Sequence, residues 1–384
     1  MGWSDIIGEP RVKRLLSSAI ERGRVAHAYL FTGPEGIGKD ATALEFARAL
    51  CCPSAALSAE GLIEACGHCP DCRRAVSLEH PDIHIVFSIP RGKGTSSNDP
   101  VENLSEEELR SVRRELAEKA ADPYHHINVP RAAEIRIDSV RMIRRFASMS
   151  SSTGRWKTFL VFNADELNEE ASDALLKTLE EPPAGTVIVL TSSFAAQLRP
   201  TIVSRCETVQ FDLLGEEEIE NALRTRLGID EGEARLAARL SGGSYRHAVE
   251  VLGEDLQEWR NEVVDFIGYS LTTRYALLAR RIEQWAKADR QAVTNRLRLM
   301  LSWVRDVFLL QTGSPERVLN IDMESRLERF VGRYRSARTA DALASIELAI
   351  GALDRNGNTL LVLANLAAEL RRNLAEKEAD AIPL

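Results

Sequence analysis

The chain has 384 residues, of which 44% are apolar and 28% charged, a composition typical of a globular protein with two or three domains. Its 49 basic and 57 acidic residues leave a net charge of −8, which argues against a domain that holds DNA alone through a broad basic surface. No stretch approaches the roughly 18 apolar residues of a membrane span, and the first residues lack the pattern of a secretory signal. We therefore expect a cytoplasmic protein without membrane contact.

The first motif is a glycine-rich turn between an apolar strand and a helix. Its letters, GPEGIGK, match the G-x-x-x-x-G-K pattern of a phosphate-binding P-loop. Gly33, Gly36 and Gly38 let the backbone N–H groups point inward, and Lys39 is placed to meet the outer phosphates of a nucleotide. Asp40 follows, where the pattern has a Ser or Thr whose hydroxyl ligates Mg²⁺. The sequence predicts a degenerate P-loop, and whether ATP or ADP still binds stays open.

The cysteines give the sharpest spacing. Cys66, Cys69 and Cys72 form C-x₂-C-x₂-C, and one thiolate from upstream completes a Cys₄ zinc site. We favour Cys52 over Cys51 as the fourth ligand, because Cys51 completes the apolar end of a helix. Disulfides are disfavoured in a cytoplasmic chain, and the Cys-Pro that would follow in an iron–sulfur pattern is missing. Such a closed zinc site is structural.

A polar excursion interrupts the chain after an apolar strand at 83–87. Residues 90–103 have the composition of an exposed loop, and Ser105 with Glu108 forms a capping box for a mostly charged helix that runs to Ala121. We interpret residues 88–134 as a surface insertion in the core domain, and the sequence assigns it no role.

The strand at 158–162 bears on hydrolysis. In working P-loop ATPases such a strand ends in an acid pair that holds the magnesium shell and polarises the attacking water. Here the strand ends with Phe162 and Asn163, which provide neither ligand nor base. The rival register uses Asp165 and Glu166, but it places Asn163 and Ala164 inside the apolar strand. We favour the first register, which predicts no hydrolysis.

Strands and helices alternate up to residue 211. The predicted strands are 28–31, 83–87, 158–162 and 186–190. This alternation predicts a parallel sheet with helices on both faces and a site at the carboxyl ends of the strands. Beyond it, short helices at 216–227, 233–240 and 245–252 predict a small helical lid over 212–254. Residues 255–384 are predicted to be all-helical, with Trp259, Trp285 and Trp303 in the core.

Two arginines are candidates for contact with a nucleotide. Arg205 lies in the loop Ser204-Arg-Cys206, and an Arg at the edge of such a domain can reach the γ-phosphate held by a neighbouring subunit. Arg246, at the start of the third lid helix, is a candidate sensor of the chain's own nucleotide. For Arg246 we rate an ordinary surface or interdomain role higher.

Taken together, these motifs resemble bacterial DNA polymerase III clamp-loader subunits of the AAA+ superfamily. The matching stretches are 5–8, 26–39, 66–72, 174–183 and 204–206. The likeness covers residues 1–87 and 134–212 well, and the remainder matches in size and helical character. Within the family the chain is most similar to the delta-prime type, because motor subunits carry Ser or Thr at position 40 and Asp-Glu at 162 and 163.

The resemblance implies an AAA+ α/β module with an inserted zinc loop at 51–72, a lid, and a helical collar that holds the subunits together. It also implies a pentameric ring with motor and delta subunits, which opens the sliding clamp and closes it around primed DNA. The delta-prime type is the stator, and Arg205 is its arginine finger for the adjacent motor. Two other functions stay open: an active motor-type, gamma/tau-like ATPase that uses Asp165 and Glu166, and a DNA-binding zinc loop that uses Arg73 and Arg74.

Overall fold

The structure, a computed structural model, describes residues 2–92, 99–253, 256–315, 318, 320, 323–354 and 357–375. The chain divides into two compact units, Met1–Ala248 and Val249–Leu384. The predicted limits of the lid and collar, at residues 212 and 255, stay predictions. Residues 93–98 of the predicted insertion and 376–384 of the predicted collar lie outside the described residues.

A parallel sheet forms the centre of the first unit. The strands of this unit are β1 (Ala28–Thr32), β2 (Ala56–Leu57), β3 (Ile63–Glu64), β4 (Ile83–Val86), β5 (Lys157–Val161), β6 (Thr186–Ser192) and β7 (Glu207–Gln210). Among the described residues, five of them pair in parallel in the order β4-β5-β6-β1-β7, while β2 and β3 form a separate antiparallel ribbon. The four predicted strands are confirmed. Strand β7 is not predicted, because only Val209 within it is buried and the segment has no apolar run.

Helices cover both faces of the sheet. The helices of this unit are α1 (Pro10–Glu21), α2 (Lys39–Cys51), α3 (Pro70–Val76), α4 (Glu106–Ala121), α5 (Ile137–Ala147), α6 (Glu169–Glu180), α7 (Pro200–Val203), α8 (Glu216–Leu227) and α9 (Glu231–Leu240), and α10 (Tyr245–Gly253) crosses the unit boundary. Strands β1, β5 and β6 are buried at every residue, which requires cover on both sides. Leu30 joins the apolar cluster of α5 and α6, whereas Tyr29 meets Phe46 of α2 with ring centroids 5.3 Å apart. The predicted fold class is confirmed.

The glycine-rich loop lies at the carboxyl ends of the strands. Strand β1 ends at Thr32, and α2 begins at Lys39. Since β1 lies between β6 and β7 in the sheet, the loop lies beside the ends of both strands. This edge is where parallel α/β sheets hold their ligands.

The second unit is helical in its described elements. Its helices are α11 (Leu256–Leu271), α12 (Tyr275–Lys287), α13 (Arg290–Gln311), α14 (Glu324–Arg333), α15 (Thr339–Asp354) and α16 (Thr359–Leu374). Trp259, Trp285 and Trp303 are buried, as predicted, and Trp285 stacks on Phe266 with ring centroids 4.9 Å apart. None of the described helices combines the length and apolar character needed to cross a lipid bilayer.

Edge strand β4 carries a histidine between two aromatic rings. The ring of His84 stacks on Phe146 and Phe159, at centroid distances of 4.6 Å and 4.9 Å. Burial lowers the pKa of His84 to about 4, and Lys157 acts in the same direction while Asp82 opposes it. Because the unfolded chain takes up this proton first, the neutral ring contributes stability above pH 6.5 that is lost as the pH falls towards 4.

We predict that His84→Phe removes this acid sensitivity, because phenylalanine keeps the stacking and has no proton to accept. Between pH 6.5 and about 4, the free energy of unfolding of the wild type falls by about 1–3 kcal/mol more than that of the variant, after discounting for the partly exposed ring. Urea denaturation at a series of pH values measures the difference. Other acid-sensitive groups are the same in both proteins and cancel. Parallel stability profiles would contradict the prediction.

Candidate functional site

The P-loop glycines adopt conformations that side chains disfavour. Gly33, Gly36 and Gly38 have φ values of 150°, 74° and 102°. Neighbours also approach all three closely, since an added Cβ would lie 2.5 Å from the carbonyl oxygen of Phe211 at Gly33, 2.2 Å from Oγ of Ser244 at Gly36 and 2.9 Å from the ring of Tyr124 at Gly38. The loop therefore has the curled backbone of a P-loop, with protein atoms packed directly against it.

The lysine of the motif is turned back onto its own loop. The ammonium of Lys39 donates to the carbonyl oxygens of Gly33 and Pro34 at 2.8 Å and 2.6 Å, and to Oγ of Ser193 at 3.1 Å. Burial lowers the pKa of Lys39, while the nearby Asp40 opposes this shift. The hydrogen bonds that a phosphate would accept are thus made within the protein.

Asp40 has partners for both of its carboxylate oxygens. Its Oδ1 accepts a hydrogen bond of 2.7 Å from Thr191 at the end of β6, and its Oδ2 lies 3.3 Å from the ammonium of Lys119 in α4. Burial alone would raise the pKa of Asp40, but Lys119 and Thr191 outweigh it and hold the pKa below its usual value. Position 40 therefore carries a paired negative charge.

The predicted insertion packs against the P-loop, a contact that the sequence does not predict. The predicted capping box is present, because Ser105 accepts from the N–H of Glu108 and the Glu108 carboxylate accepts from Ser105. However, α4 is buried at Val112, Glu115 and Lys119. The charged residues on this face form internal contacts, which hydrophobic periodicity does not detect.

Little space remains in the P-loop. The cavity there measures 40 Å³, whereas small-molecule sites usually measure about 300–1,000 Å³. The side chains that line it include Glu35, Lys39, Asp40, Lys119, Tyr124 and Asn163. As it stands, the cradle has room for a few water molecules and does not fit a nucleotide with its metal ion.

The end of β5 determines which residues face the cavity. Asn163 lines it and donates its backbone N–H to Oγ1 of Thr191 at 3.2 Å, whereas Asp165 and Glu166 follow in a short 3-10 helix and are not among its lining residues. The carboxylate of Glu166 accepts hydrogen bonds from Ser88 and Asn163. The assignment of Phe162 and Asn163 to the acid-pair positions stays a prediction, with Asn163 at the cavity.

The two candidate arginines lie in different places. Arg205 lies between α7 and β7, with its side chain 35% exposed, and it donates to Glu180 at 2.8 Å and to the carbonyl of Thr201 at 2.9 Å. Arg246 lies at the P-loop, where its guanidinium pairs with Glu35 and its backbone N–H donates to the carbonyl of Gly36 at 3.3 Å. Both side chains are partly exposed, but Arg246 contacts the P-loop, whereas Arg205 pairs with Glu180 of α6.

Four cysteine sulfurs lie close together. The ligand atoms of Cys52, Cys66, Cys69 and Cys72 all lie within 4.8 Å of one another. Cys52 follows the end of α2, while Cys69 caps the start of α3. Cys51 lies elsewhere, because its Sγ donates to the carbonyl of Trp156 at 3.4 Å. The cluster has the spacing and the donor set of a metal site.

Burial and hydrogen bonding act in opposite directions on these thiols. Burial raises the pKa of Cys52 and Cys72, whereas the N–H groups of His68 and Cys69 lower the pKa of Cys66 to about 6. Cys52 accepts a hydrogen bond of 3.3 Å from the N–H of Cys66. A bound cation removes the conflict, because it makes the thiolate form favourable for all four sulfurs.

The segment between Cys52 and Cys66 joins the cluster to the start of the chain. It folds into the β2–β3 ribbon. The indole N–H of Trp3 donates to the carbonyl of Ile63 at 2.7 Å, and the N–H of Ile63 donates to Oγ of Ser17 at 2.6 Å. The ribbon thereby fixes one side of the cysteine cluster to the first helices.

Sequence reasoning missed three residues around the P-loop. Lys119, Tyr124 and Thr191 all contact the cradle, although each lies far from it along the chain. Tyr124 packs on Gly38, and its hydroxyl accepts from the N–H of Ile7 at 2.7 Å. A weak signal exists for Lys119, because 112, 115 and 119 share one helical face, but the residue types there are typical of a solvated surface.

Two relatives of the chain have the same name. It is 27% identical over 326 residues to the DNA polymerase III subunit delta' of Bacillus subtilis, covering 82% of each chain. It is 33% identical over 258 residues to the subunit delta' of Pseudomonas aeruginosa, covering 67% of this chain and 65% of that one. The subunit tau of B. subtilis is 24% identical over 281 residues, which are 72% of this chain and 40% of tau.

A family model described as "DNA polymerase III, delta subunit" matches residues 8–214. The match includes the sheet, the P-loop, the cysteine cluster and Arg205. Because it extends over more than half of the 384 residues, the chain belongs to this DNA polymerase III subunit family, whose delta' members are among its relatives.

Proposed function

We propose that the chain is a delta-prime-type subunit of the DNA polymerase III clamp loader and acts in the cytoplasm. In this role it helps to load the sliding clamp onto primed DNA, within a pentameric ring of motor and delta subunits. The names of its relatives support this role. The main observation that supports a subunit without hydrolysis of its own is the ion pair between Asp40 and Lys119, because Asp40 is at the position from which a motor subunit holds magnesium.

The chain's own ATP hydrolysis is absent in this proposal. Hydrolysis needs a hydroxyl at position 40 for the metal and an acid pair for the metal and water. Asp40 is paired within the protein, Phe162 is buried, and Asn163 cannot act as a base. These contacts favour a stator over an active motor-type, gamma/tau-like subunit.

Arg205 supplies charge to a neighbouring site in this proposal. Its guanidinium is partly exposed, and Glu180, which holds it, is itself exposed. A surface ion pair of this kind contributes about 0–1 kcal/mol, so a γ-phosphate on an adjacent motor subunit can displace Glu180 at little cost. Arg205 is then an arginine finger in trans.

The cysteine cluster holds a structural Zn²⁺ in this proposal. The ligands are Cys52, Cys66, Cys69 and Cys72, which leave no position for a substrate when the metal is four-coordinate. Their role is to fasten the loop between α2 and β4 rather than to take part in catalysis.

We predict that Arg205→Ala lowers hydrolysis at the neighbouring motor site by about 10³–10⁵-fold, because a finger stabilises charge in the transition state. The measurement is clamp- and DNA-stimulated ATP turnover of the reconstituted complex, with assembly checked by size-exclusion chromatography. Arg199→Ala is the matched control, since Arg199 is 36% exposed and pairs with Asp173 on the same domain. Unchanged turnover in a fully assembled Arg205→Ala complex would refute the finger role.

We predict that Cys52→Ala reduces bound zinc from about one equivalent per chain to nearly none, because three thiolates do not complete a closed site. The neighbouring substitution Cys51→Ala is the control, and it keeps the metal because the Cys51 thiol contacts Trp156. Atomic absorption gives the metal content, and melting curves with and without a chelator give its contribution to stability. Equal zinc content in the two variants would assign the fourth ligand elsewhere.

A further inference from the structure

A lysine ammonium lies where a working P-loop protein holds its metal ion. In such proteins the bound Mg²⁺ is contacted by the residue after the P-loop lysine and by an acid at the end of a strand in the same sheet. With the favoured register, these positions are 40 and 162 in this chain. The ammonium of Lys119 lies 3.3 Å from Oδ2 of Asp40 and 5.2 Å from the ring centroid of Phe162.

Lys119 is held there by the insertion itself. Its side chain is 1% exposed, and its third contact is a hydrogen bond of 2.7 Å to the carbonyl oxygen of His125. The two charges of the pair depend on each other, because a buried charge without its partner strongly destabilises a protein. The insertion therefore provides the positive charge that the P-loop side chain requires.

The same segment also covers the loop that would receive the phosphates. The ring of Tyr124 packs on Gly38, and its centroid lies 5.0 Å from that of Tyr245. The guanidinium of Arg226 lies 4.7 Å from the Tyr124 ring centroid and pairs with Asp122 at 3.1 Å. Tyr124 is thus fixed by contacts on several sides, and it lines the P-loop cavity together with Gly36, Gly38 and Lys39.

We propose that residues 119–126 are an internal ligand of the P-loop, in which the Lys119 ammonium replaces the divalent cation and Tyr124 fills the phosphate side of the cradle. The insertion closes the site to nucleotide. The carboxylate of Asp40, which stands where a working P-loop has a hydroxyl, pairs with Lys119 and does not itself cause the closure. Tyr124 is held by Tyr245 and Arg226 and not by Asp40, so Asp40→Ser alone leaves the phosphate side of the cradle closed.

The first test compares nucleotide affinity in three forms of the full-length chain: the wild type, Asp40→Ser, and Asp40→Ser combined with Lys119→Ala and Tyr124→Ala. The probe is N-methylanthraniloyl-ATP with Mg²⁺, titrated by fluorescence. If the internal ligand occupies the cradle in about 99% of molecules, the first two forms bind at least about 100-fold more weakly than the triple variant. Binding by Asp40→Ser or the wild type as tight as that of the triple variant would overturn the proposal, and so would a folded triple variant that binds no nucleotide.

A second test keeps the proposal falsifiable if the triple variant does not fold. Lys119→Ala leaves Asp40 without its cation, so Mg²⁺ alone is expected to raise the melting temperature of this variant and to leave that of the wild type unchanged. Lys157→Ala is the matched control, because Lys157 is also buried and donates to the carbonyls of Phe146 and Ala147. A Mg²⁺ response that is missing in Lys119→Ala, or equal in Lys157→Ala, would overturn the internal-cation role.

These tests do not depend on the role proposed for Arg205. They use the isolated chain and measure ligand binding, whereas the finger is measured by turnover in the assembled complex. The two sets of experiments therefore distinguish a closed P-loop in a chain without an arginine finger from an arginine finger in a chain whose P-loop binds nucleotide.

Discussion

The carboxylate of Asp40 and the ammonium of Lys119 lie 3.3 Å apart at the carboxyl edge of the central sheet. One charge belongs to the first turn of α2 and the other to the insertion, so this contact joins two parts of the chain that are 79 residues apart. In the low-dielectric environment around Lys119, neither charge is stable without the other. Thr191 and the carbonyl of His125 add one hydrogen bond to each member of the pair.

The sheet can hold such a pair because it follows the general plan of parallel α/β folds. Strands β1, β5 and β6 are fully buried, and their carboxyl ends bring the P-loop, Asn163 and Thr191 to one edge. In a motor subunit this edge binds a nucleotide and its metal. In this chain, side chains of the protein make the corresponding contacts. The degenerate P-loop, in a chain that matches the family model, agrees with a site that does not bind nucleotide.

The sequence was sufficient to predict the features that depend on local pattern. The buried strands, the capping box at Ser105 and the cysteine spacing are all visible within short windows. The contact between Lys119 and Asp40 was not predictable, because a lysine in a charged helix indicates a solvated face and its partner is distant in the chain. Strand β7 was missed because its pairing with β1 depends on backbone hydrogen bonds rather than on apolar side chains.

The start of α10 is fastened directly to the P-loop, through the N–H of Arg246 on the carbonyl of Gly36 and the close approach of Ser244. In proteins that bend when they bind ATP, the nucleotide makes this connection, and its arrival or loss changes the equilibrium between two shapes. With the cradle closed as we propose, no nucleotide acts on this joint. The first unit is then expected to keep the same geometry whether or not ATP is present.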